Sequence, residues 1–219
     1  MALAVVTGAN RGIGLELCRQ LKARGDDVIA ICRKSSEELD SLGVRVEASV
    51  DVADAGAVAE LRRRLDGAQI DLLINNAGIL KAGSFDNPDF DGIERQLQVN
   101  AIAPLRVTHA LAPLLKDGAK VVIITSRMGS MGDNGSGGYY GYRMSKAAVN
   151  AAGVSLAHDL KGRGIAVALL HPGMVNTEMT HHGIPPEDSV RGLLQRIDAL
   201  MLETSGRFTH AVTGEELPW

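Results

Sequence analysis

Leu3-Ala4-Val5-Val6-Thr7-Gly8-Ala9-Asn10-Arg11-Gly12-Ile13-Gly14 is the stretch on which the fold turns. Residues 3–6 are an apolar run without polar alternation, the pattern of a parallel strand buried on both faces. The run ends at Thr7-Gly8, and Gly12 and Gly14 come next. Leu15, Leu17, Cys18 and Leu21 then recur at roughly helical spacing. Strand, glycine turn and helix, in that order, suit a phosphate-binding loop. Glycines let the backbone approach a pyrophosphate, and the helix N-terminus offers free N–H groups and a positive dipole. An ordinary tight turn uses glycines too, but the position directly after the first strand favours the phosphate loop.

Asp27-Val28-Ile29-Ala30-Ile31-Cys32 reads as the second strand, after a stop at Gly25. In a dinucleotide fold an acidic residue about 20 residues past the glycines holds the ribose 2′-hydroxyl. Here Cys32 is followed by Arg33 and Lys34. Two cations and no carboxylate suit a 2′-phosphate, and Arg11 adds a third positive contact. The alternative is a solvated loop that merely begins with two cations.

Further strands are expected at Val44–Ala48, nearer an edge, at Ile70–Ile74, at Lys120–Ser126 and at Ile165–Leu170, with a last one from Phe208. Between them, Asp54 is placed to cap a helix that carries Val58, Leu61 and Leu65. A long helix is expected from Ile93 to Leu115, bent at Pro104, with the amide of Asn100 in need of partners. Asn75-Asn76 ends the fourth strand, where two amides can pin neighbouring loops. Val190, Leu193, Leu194, Ile197 and Leu200 mark a last amphipathic helix. Alternation of strands and helices predicts an α/β fold, a single doubly wound (Rossmann) domain over residues 1–219. About seven mostly parallel strands would lie between helices on both faces.

Composition narrows the function. The formal net charge of −3 and the 3% aromatic content argue against a nucleic-acid surface. No apolar run reaches the ~20 residues that a membrane span needs. The first strand begins so near Met1 that a signal peptide finds no room, and a cytoplasmic protein is expected. Cys18 and Cys32, one in a helix and one at a strand end, suggest neither a disulfide framework nor zinc. His181-His182 has no third ligand at useful spacing, so no metal is expected.

The chemistry is concentrated in Tyr142-Arg143-Met144-Ser145-Lys146. Residues four apart share a helix face, so an ammonium stands beside a phenol and is expected to lower its pKa. Of the three tyrosines only Tyr142 has a lysine four residues on. Ser126 arrives at the carboxyl end of the fifth strand, the edge where open α/β sheets bind ligands. Met128, Met131, Met174 and Met179 flank this region, either as an adaptable apolar wall or as core filler.

Taken together and in order, these signals resemble the short-chain dehydrogenase/reductase family over almost the whole chain. Thr7-Gly8-Ala9-Asn10-Arg11-Gly12-Ile13-Gly14 resembles the cofactor loop, and Asp51-Val52 the adenine contact. Asn75-Asn76-Ala77-Gly78 resembles the motif after strand four. Asn100, Ser126, Tyr142 and Lys146 match the catalytic tetrad, and Pro172-Gly173 with Val175 and Thr177 match the segment that touches the nicotinamide amide. One spacing departs: Ser126 lies 16 residues before Tyr142, where the family usually has about 13; Ser130 is the rival, and Ser126 is preferred because it ends the strand directly and the loop after it can hold the extra residues. The stretch from Ser126 to Lys146, with Leu217-Pro218-Trp219, is similar to the sniffer/C-factor branch. That branch holds NADPH-dependent carbonyl reductases and an intercellular signalling protein.

The resemblance implies NADP(H) and hydride transfer to an aldehyde or ketone. Tyr142 would be the proton donor and Ser126 the hydrogen-bond donor to the carbonyl oxygen. Lys146 would lower the Tyr142 pKa and hold the nicotinamide ribose, and Asn100 would anchor a relay water. A homodimer or homotetramer is common in the family, and Ala147, Ala148, Ala151 and Ala152 offer a small-residue face for it. The competing reading is an NADP(H)-binding signalling protein with little or no turnover.

Overall fold

In the computed structural model, which describes residues 1–219, β1 (Leu3–Thr7) is an interior strand of the sheet. It pairs in parallel with β2 (Asp27–Ile31) on one side and with β4 (Ile70–Asn75) on the other. β3 (Arg45–Glu47), β5 (Leu115–Ile124), β6 (Ala166–His171) and β7 (Phe208–His210) complete one sheet in the order β3-β2-β1-β4-β5-β6-β7. Every pairing between these strands is parallel, and β3 and β7 are the edges. The strand order reverses between β1 and β4. Loops leaving their carboxyl ends diverge there and open a crevice.

Alternation along the strands divides the core in two. Val5, Ile29 and Ile31 face α3 (Ala55–Arg64), α5 (Ala103–Leu111) and α6 (Tyr140–Asp159), packing with Val58, Leu61, Val107, Leu111, Val149 and Leu156. Ala4, Val6, Val28 and Ala30 face α1 (Gly12–Ala23) and α7 (Pro186–Asp198), packing with Leu17, Leu21, Val190 and Leu193. Each valine, leucine or isoleucine among them, fully buried, contributes about 1.5–3 kcal/mol. Two short helices, α2 (Glu37–Ser41) and α4 (Phe90–Leu97), complete the layers. Asp54 caps α3 as expected, accepting from the Ala57 amide at 2.7 Å.

The long helix expected from Ile93 to Leu115 is instead three pieces. α4 begins at Phe90, where Asp89 caps it by accepting from the Gly92 amide. Residues Gln98–Ile102 form a π-helical turn in which the Ala103 amide reaches the Gln98 carbonyl. Pro104 has no N–H to give, so the wider turn absorbs the break before α5 resumes. Pro113 then ends the helical run, and β5 begins at Leu115. β5 stops at Ile124 rather than Ser126, although the Thr125 amide still bonds to Leu170 of β6. The third strand is shorter than expected, and the edge placement holds.

α6 meets β6 at Gly153, where an added Cβ would lie 2.3 Å from Leu169 Cδ2. Gly153→Ala is expected to cost about 1–3 kcal/mol by overpacking. Urea unfolding checks this: the midpoint should fall with the m-value unchanged.

Candidate active site

The glycine loop is packed against the end of β4. A Cβ at Gly14 would lie 2.2 Å from the Gly8 carbonyl oxygen and 2.6 Å from Asn76 Nδ2. Gly8 has φ +66°, and its Cβ would lie 2.7 Å from Ala77 Cα. Only glycine fits these two positions. Asn76 Nδ2 donates to the carbonyls of Thr7 (3.0 Å) and Gly8 (3.1 Å), and Thr7 Oγ1 accepts from the amides of Asn76 and Ala77. Asn75 Nδ2 donates to Thr108 Oγ1 of α5 at 3.0 Å. Both asparagines therefore pin neighbouring segments, as their position implied. No side chain caps the start of α1 at Arg11, so the first-turn N–H groups face the crevice unpartnered by a side chain.

Around this cradle, Arg33 and Lys34 are exposed, and neither forms an ion pair. The Asn10 carbonyl accepts from Ser36 Oγ at 2.8 Å, and Ile13 packs against the α1-side core. Asp51 is held by the Ala53 amide and by Arg95 at 2.8 Å. Desolvation raises the Asp51 pKa, but these hydrogen bonds together outweigh it and leave the carboxyl below its ordinary value. Val52 is buried, and its carbonyl accepts weakly from Arg106. Arg11 pairs with Glu178, which ties the glycine loop to the segment after β6. There Gly173 has φ +88°, the Pro172 carbonyl accepts from Ser189 Oγ, and Thr177 Cγ2 would meet a Cβ on Gly12 at 3.3 Å. Val175 is buried and bridges to Ile184, so residues 174–184 form a short folded turn.

Ser126, Tyr142, Lys146 and Asn100 are all buried at this edge. Asn100 lies in the π-helical turn, donating to the Ile79 carbonyl (2.8 Å) and Ser145 Oγ (3.0 Å) and accepting from the Ile79 amide (2.8 Å). Its side chain thus clips the Gly78–Ile79 backbone. A Cβ on Gly78 would lie 3.3 Å from Asn100 Oδ1 and 3.8 Å from Lys146 Nζ. Lys146 Nζ donates to the Ile124 carbonyl at 2.9 Å and stands 5.7 Å from the Tyr142 ring centre. Ser126 Oγ accepts from the Met128 amide and caps one 3-10 turn. Ser130 is bonded instead to the Trp219 carbonyl and the Asp133 amide.

Burial pushes Lys146 down to about 8. Burial also pushes Tyr142 above its ordinary value, and the hydrogen bond with Ser126 pulls it only partly back. The expected lowering of Tyr142 by Lys146 is therefore not seen in this state. The lysine points its charge at Ile124, and desolvation of the phenolate wins. Met131, Met174 and Met179 are exposed and Met128 is half-buried, so these methionines are not core filler.

Sequence reasoning assigned no role to Ser145, to the Arg95–Asp51 pair or to His171. The His171 ring meets His210 edge-on at 4.9 Å, and its Nδ1 is buried without a partner. Burial, reinforced by the charges of His210, Arg127 and Lys146, pushes His171 down to about 3. Its place before Pro172 was the one available signal. No group of three or more His, Cys, Asp or Glu is placed to hold a metal ion, and no helix is long and apolar enough to cross a membrane.

The family described as short chain dehydrogenase matches residues 2–187. The chain belongs to the short-chain dehydrogenase family. Among its relatives in that family, a Rhodococcus protein named 1-hydroxy-2-glutathionyl-2-methyl-3-butene dehydrogenase is 45% identical, and the alignment covers all of both chains. The C-signal protein of Myxococcus xanthus is 46% identical over 68% of this chain and 93% of its own length. Two solved short-chain dehydrogenase folds superpose closely. NADPH-bound carbonyl reductase from chicken fatty liver has a TM-score of 0.89 at 31% identity over all of both chains. Carbonyl reductase Sniffer of Drosophila melanogaster has a TM-score of 0.92 at 28% identity, over 100% of this chain and 99% of its own. This short-chain dehydrogenase therefore falls in the carbonyl-reductase and Sniffer-like branch.

The buried lysine makes a pH prediction. Between about pH 8 and 10.5 the unfolded chain keeps a proton that native Lys146 has shed, so stability rises with pH in that window. Relative to Lys146→Met, wild type should gain up to about 3 kcal/mol across it. Denaturant titrations of both proteins at stepped pH check the sign.

Proposed function

We propose that this chain is an NADP(H)-dependent oxidoreductase that reduces an aldehyde or ketone to the alcohol, with Tyr142 as proton donor. One observation carries the reading. Ser126, Tyr142 and Lys146 are buried together at the same sheet edge as a glycine cradle too tight for any side chain. The cradle fits a pyrophosphate, and the unpaired Arg33 and Lys34 fit a 2′-phosphate. Gly8, Asn10, Arg11, Gly12, Ile13 and Gly14 would line the first; Asp51, Val52, Asn76, Ala77 and Gly78 would border the adenosine and its ribose. Pro172, Gly173, Val175 and Thr177 would face the nicotinamide amide.

When bound, NADPH supplies the hydride. The residues of the chain orient and protonate. Burial keeps Tyr142 protonated at neutral pH, which suits a donor to the carbonyl oxygen. The Ser126 hydroxyl is preferred to Ser130 because Ser130 is already engaged with Trp219 and Asp133. Ser126 would donate to the same oxygen as charge develops on it. Lys146 would hold the ribose and favour the phenolate after proton transfer. Asn100 would keep the Ile79 backbone in place beside it, with any relay water held by the main chain.

A second reading has its own support. The relative aligned over the whole chain at 45% identity is named for the dehydrogenation of a glutathionyl alcohol. The same residues run in reverse would oxidise such an alcohol, with Tyr142 taking the proton. A third reading, a signalling protein of C-factor type that holds NADP(H) with little turnover, draws on the C-signal likeness. We place the protein in the cytoplasm, in keeping with its two free cysteines. A homodimer or homotetramer through α5 and α6 is supported by Ile102, Leu105 and Met144, which are exposed there together with Ala148 and Ala151.

The test is turnover of NADPH and NADH against aldehydes and ketones, beside oxidation of a glutathionyl alcohol with either oxidised cofactor. Tyr142→Phe should lower kcat/KM by about 10²–10⁴ in the active direction. Arg33→Ala should raise the KM for NADPH about 10–100-fold and leave that for NADH nearly unchanged. Tight NADPH binding without turnover of any substrate would favour the signalling reading.

A further inference from the structure

The segment Leu217-Pro218-Trp219 lies outside the tetrad and the cofactor loop, yet it ends against the loop that carries Ser126. After β7 the chain turns at Ala211–Gly214 and returns, with Thr209 opposite Glu216 in an antiparallel bridge. The Leu217 amide donates to the Phe208 carbonyl at 2.8 Å, and the Leu217 side chain is buried in the core cluster beneath α6. The Trp219 ring stacks on Phe208, centres 5.6 Å apart and planes 28° from parallel. This stack aims the main-chain carbonyl of Trp219 at the active-site loop. The carbonyl accepts from the Gly132 amide at 2.8 Å and from Ser130 Oγ at 3.3 Å. Ser130 Oγ in turn accepts from the Asp133 amide at 3.0 Å.

The first turn of the loop is fixed locally, the Gly129 and Ser130 amides bonding to the Ser126 and Arg127 carbonyls. Gly135, Gly137 and Gly138 lie between the loop and α6. Its remaining anchors are the Ser126 cap, the exposed Arg127–Asp133 pair and Gly129, whose Cβ would lie 2.7 Å from the Lys146 carbonyl carbon. Gly132 itself is fitted to the tail: a Cβ there would lie 3.3 Å from the Trp219 oxygen and 3.4 Å from Pro218 Cβ.

We propose that Leu217-Pro218-Trp219 is a positioning brace, which holds residues 126–133 through the Trp219 carbonyl so that the Ser126 hydroxyl stays on Tyr142. The proposal rests on the assignment of Ser126 made above. In this proposal Trp219 is a positioning residue that acts through Ser126.

The experiment compares wild type with Trp219→Ala, Trp219→Phe, Ser126→Ala and the double variant S126A/W219A. W219A should lower kcat about tenfold, as a donor to the developing oxyanion is misplaced, with NADPH affinity unchanged. W219F keeps the stack on Phe208 and should stay near wild type. The double variant should be no slower than S126A alone, because the brace has nothing left to position. The pH at which kcat loses its protonated donor should move up in W219A, since the Ser126 hydrogen bond is what draws the Tyr142 pKa down. Hydrogen exchange at the Gly132 amide should quicken in W219A whether or not turnover is measured. If W219A does not fold, Ser130→Ala carries the same comparison from the other end of the contact. Wild-type kcat in W219A beside an inactive S126A overturns the brace alone, as does a double variant in which the two losses multiply. Wild-type kcat in S126A overturns the assignment of Ser126 itself.

Discussion

The side-chain amide of Asn76 donating to the carbonyls of Thr7 and Gly8 is the contact on which the site depends. Parallel strands end with unpaired carbonyls, and at the reversal of strand order those of β1 and β4 would otherwise face an open crevice. Asn76 and the Thr7 hydroxyl satisfy the strand ends with side chains instead of a continued ladder. That frees the backbone from Gly8 to Gly14 to turn across the crevice rather than along the sheet. The space beside this contact is so small that no Cβ fits at Gly14. The cradle is thus a packing consequence of the strand-end hydrogen bonds, and the glycines are its requirement.

A second constraint acts on the other side of the crevice. Lys146 is buried with the Ile124 carbonyl as its partner. An ammonium in such a place loses hydration, and one hydrogen bond does not replace it. The result is a lysine that gives up its proton near pH 8 and a tyrosine that keeps its own. Both shifts come from the same dry pocket. Gly129 approaches the Lys146 backbone so closely that a Cβ would lie 2.7 Å from its carbonyl carbon, and Asn100 clips the Gly78–Ile79 backbone beside it.

Much of this was legible in the residue order. Unalternated apolar runs such as Leu3–Val6 marked buried parallel strands, because a strand covered on both faces has few polar positions. Tyr142 and Lys146, four apart, marked a shared helix face. Other features were not legible. The π-helical turn results from Pro104 meeting the demand that Asn100 face Ile79, and that demand comes from a loop 21 residues earlier in the chain. The direction of the Tyr142 shift was misread, because spacing reports a neighbouring charge and says nothing of how dry the place is. His171 and His210 meet only because β6 and β7 are neighbours in register.

By itself the sequence determined the local chemistry: which segments are strands, where glycine interrupts them, and which phenol has an ammonium one helical turn away. These are set by residues within a few positions of each other. Only the tertiary structure showed what each of the two candidate serines touches. The two hydroxyls lie four positions apart on one loop, and the residue order favoured Ser126 because it directly ends the fifth apolar run. Ser130 bonds to Trp219, 89 residues further along the chain, while Ser126 Oγ accepts from the Met128 amide two residues on. A contact between residues so distant in sequence is made by the fold, which sets the segment after β7 beside the loop after β5.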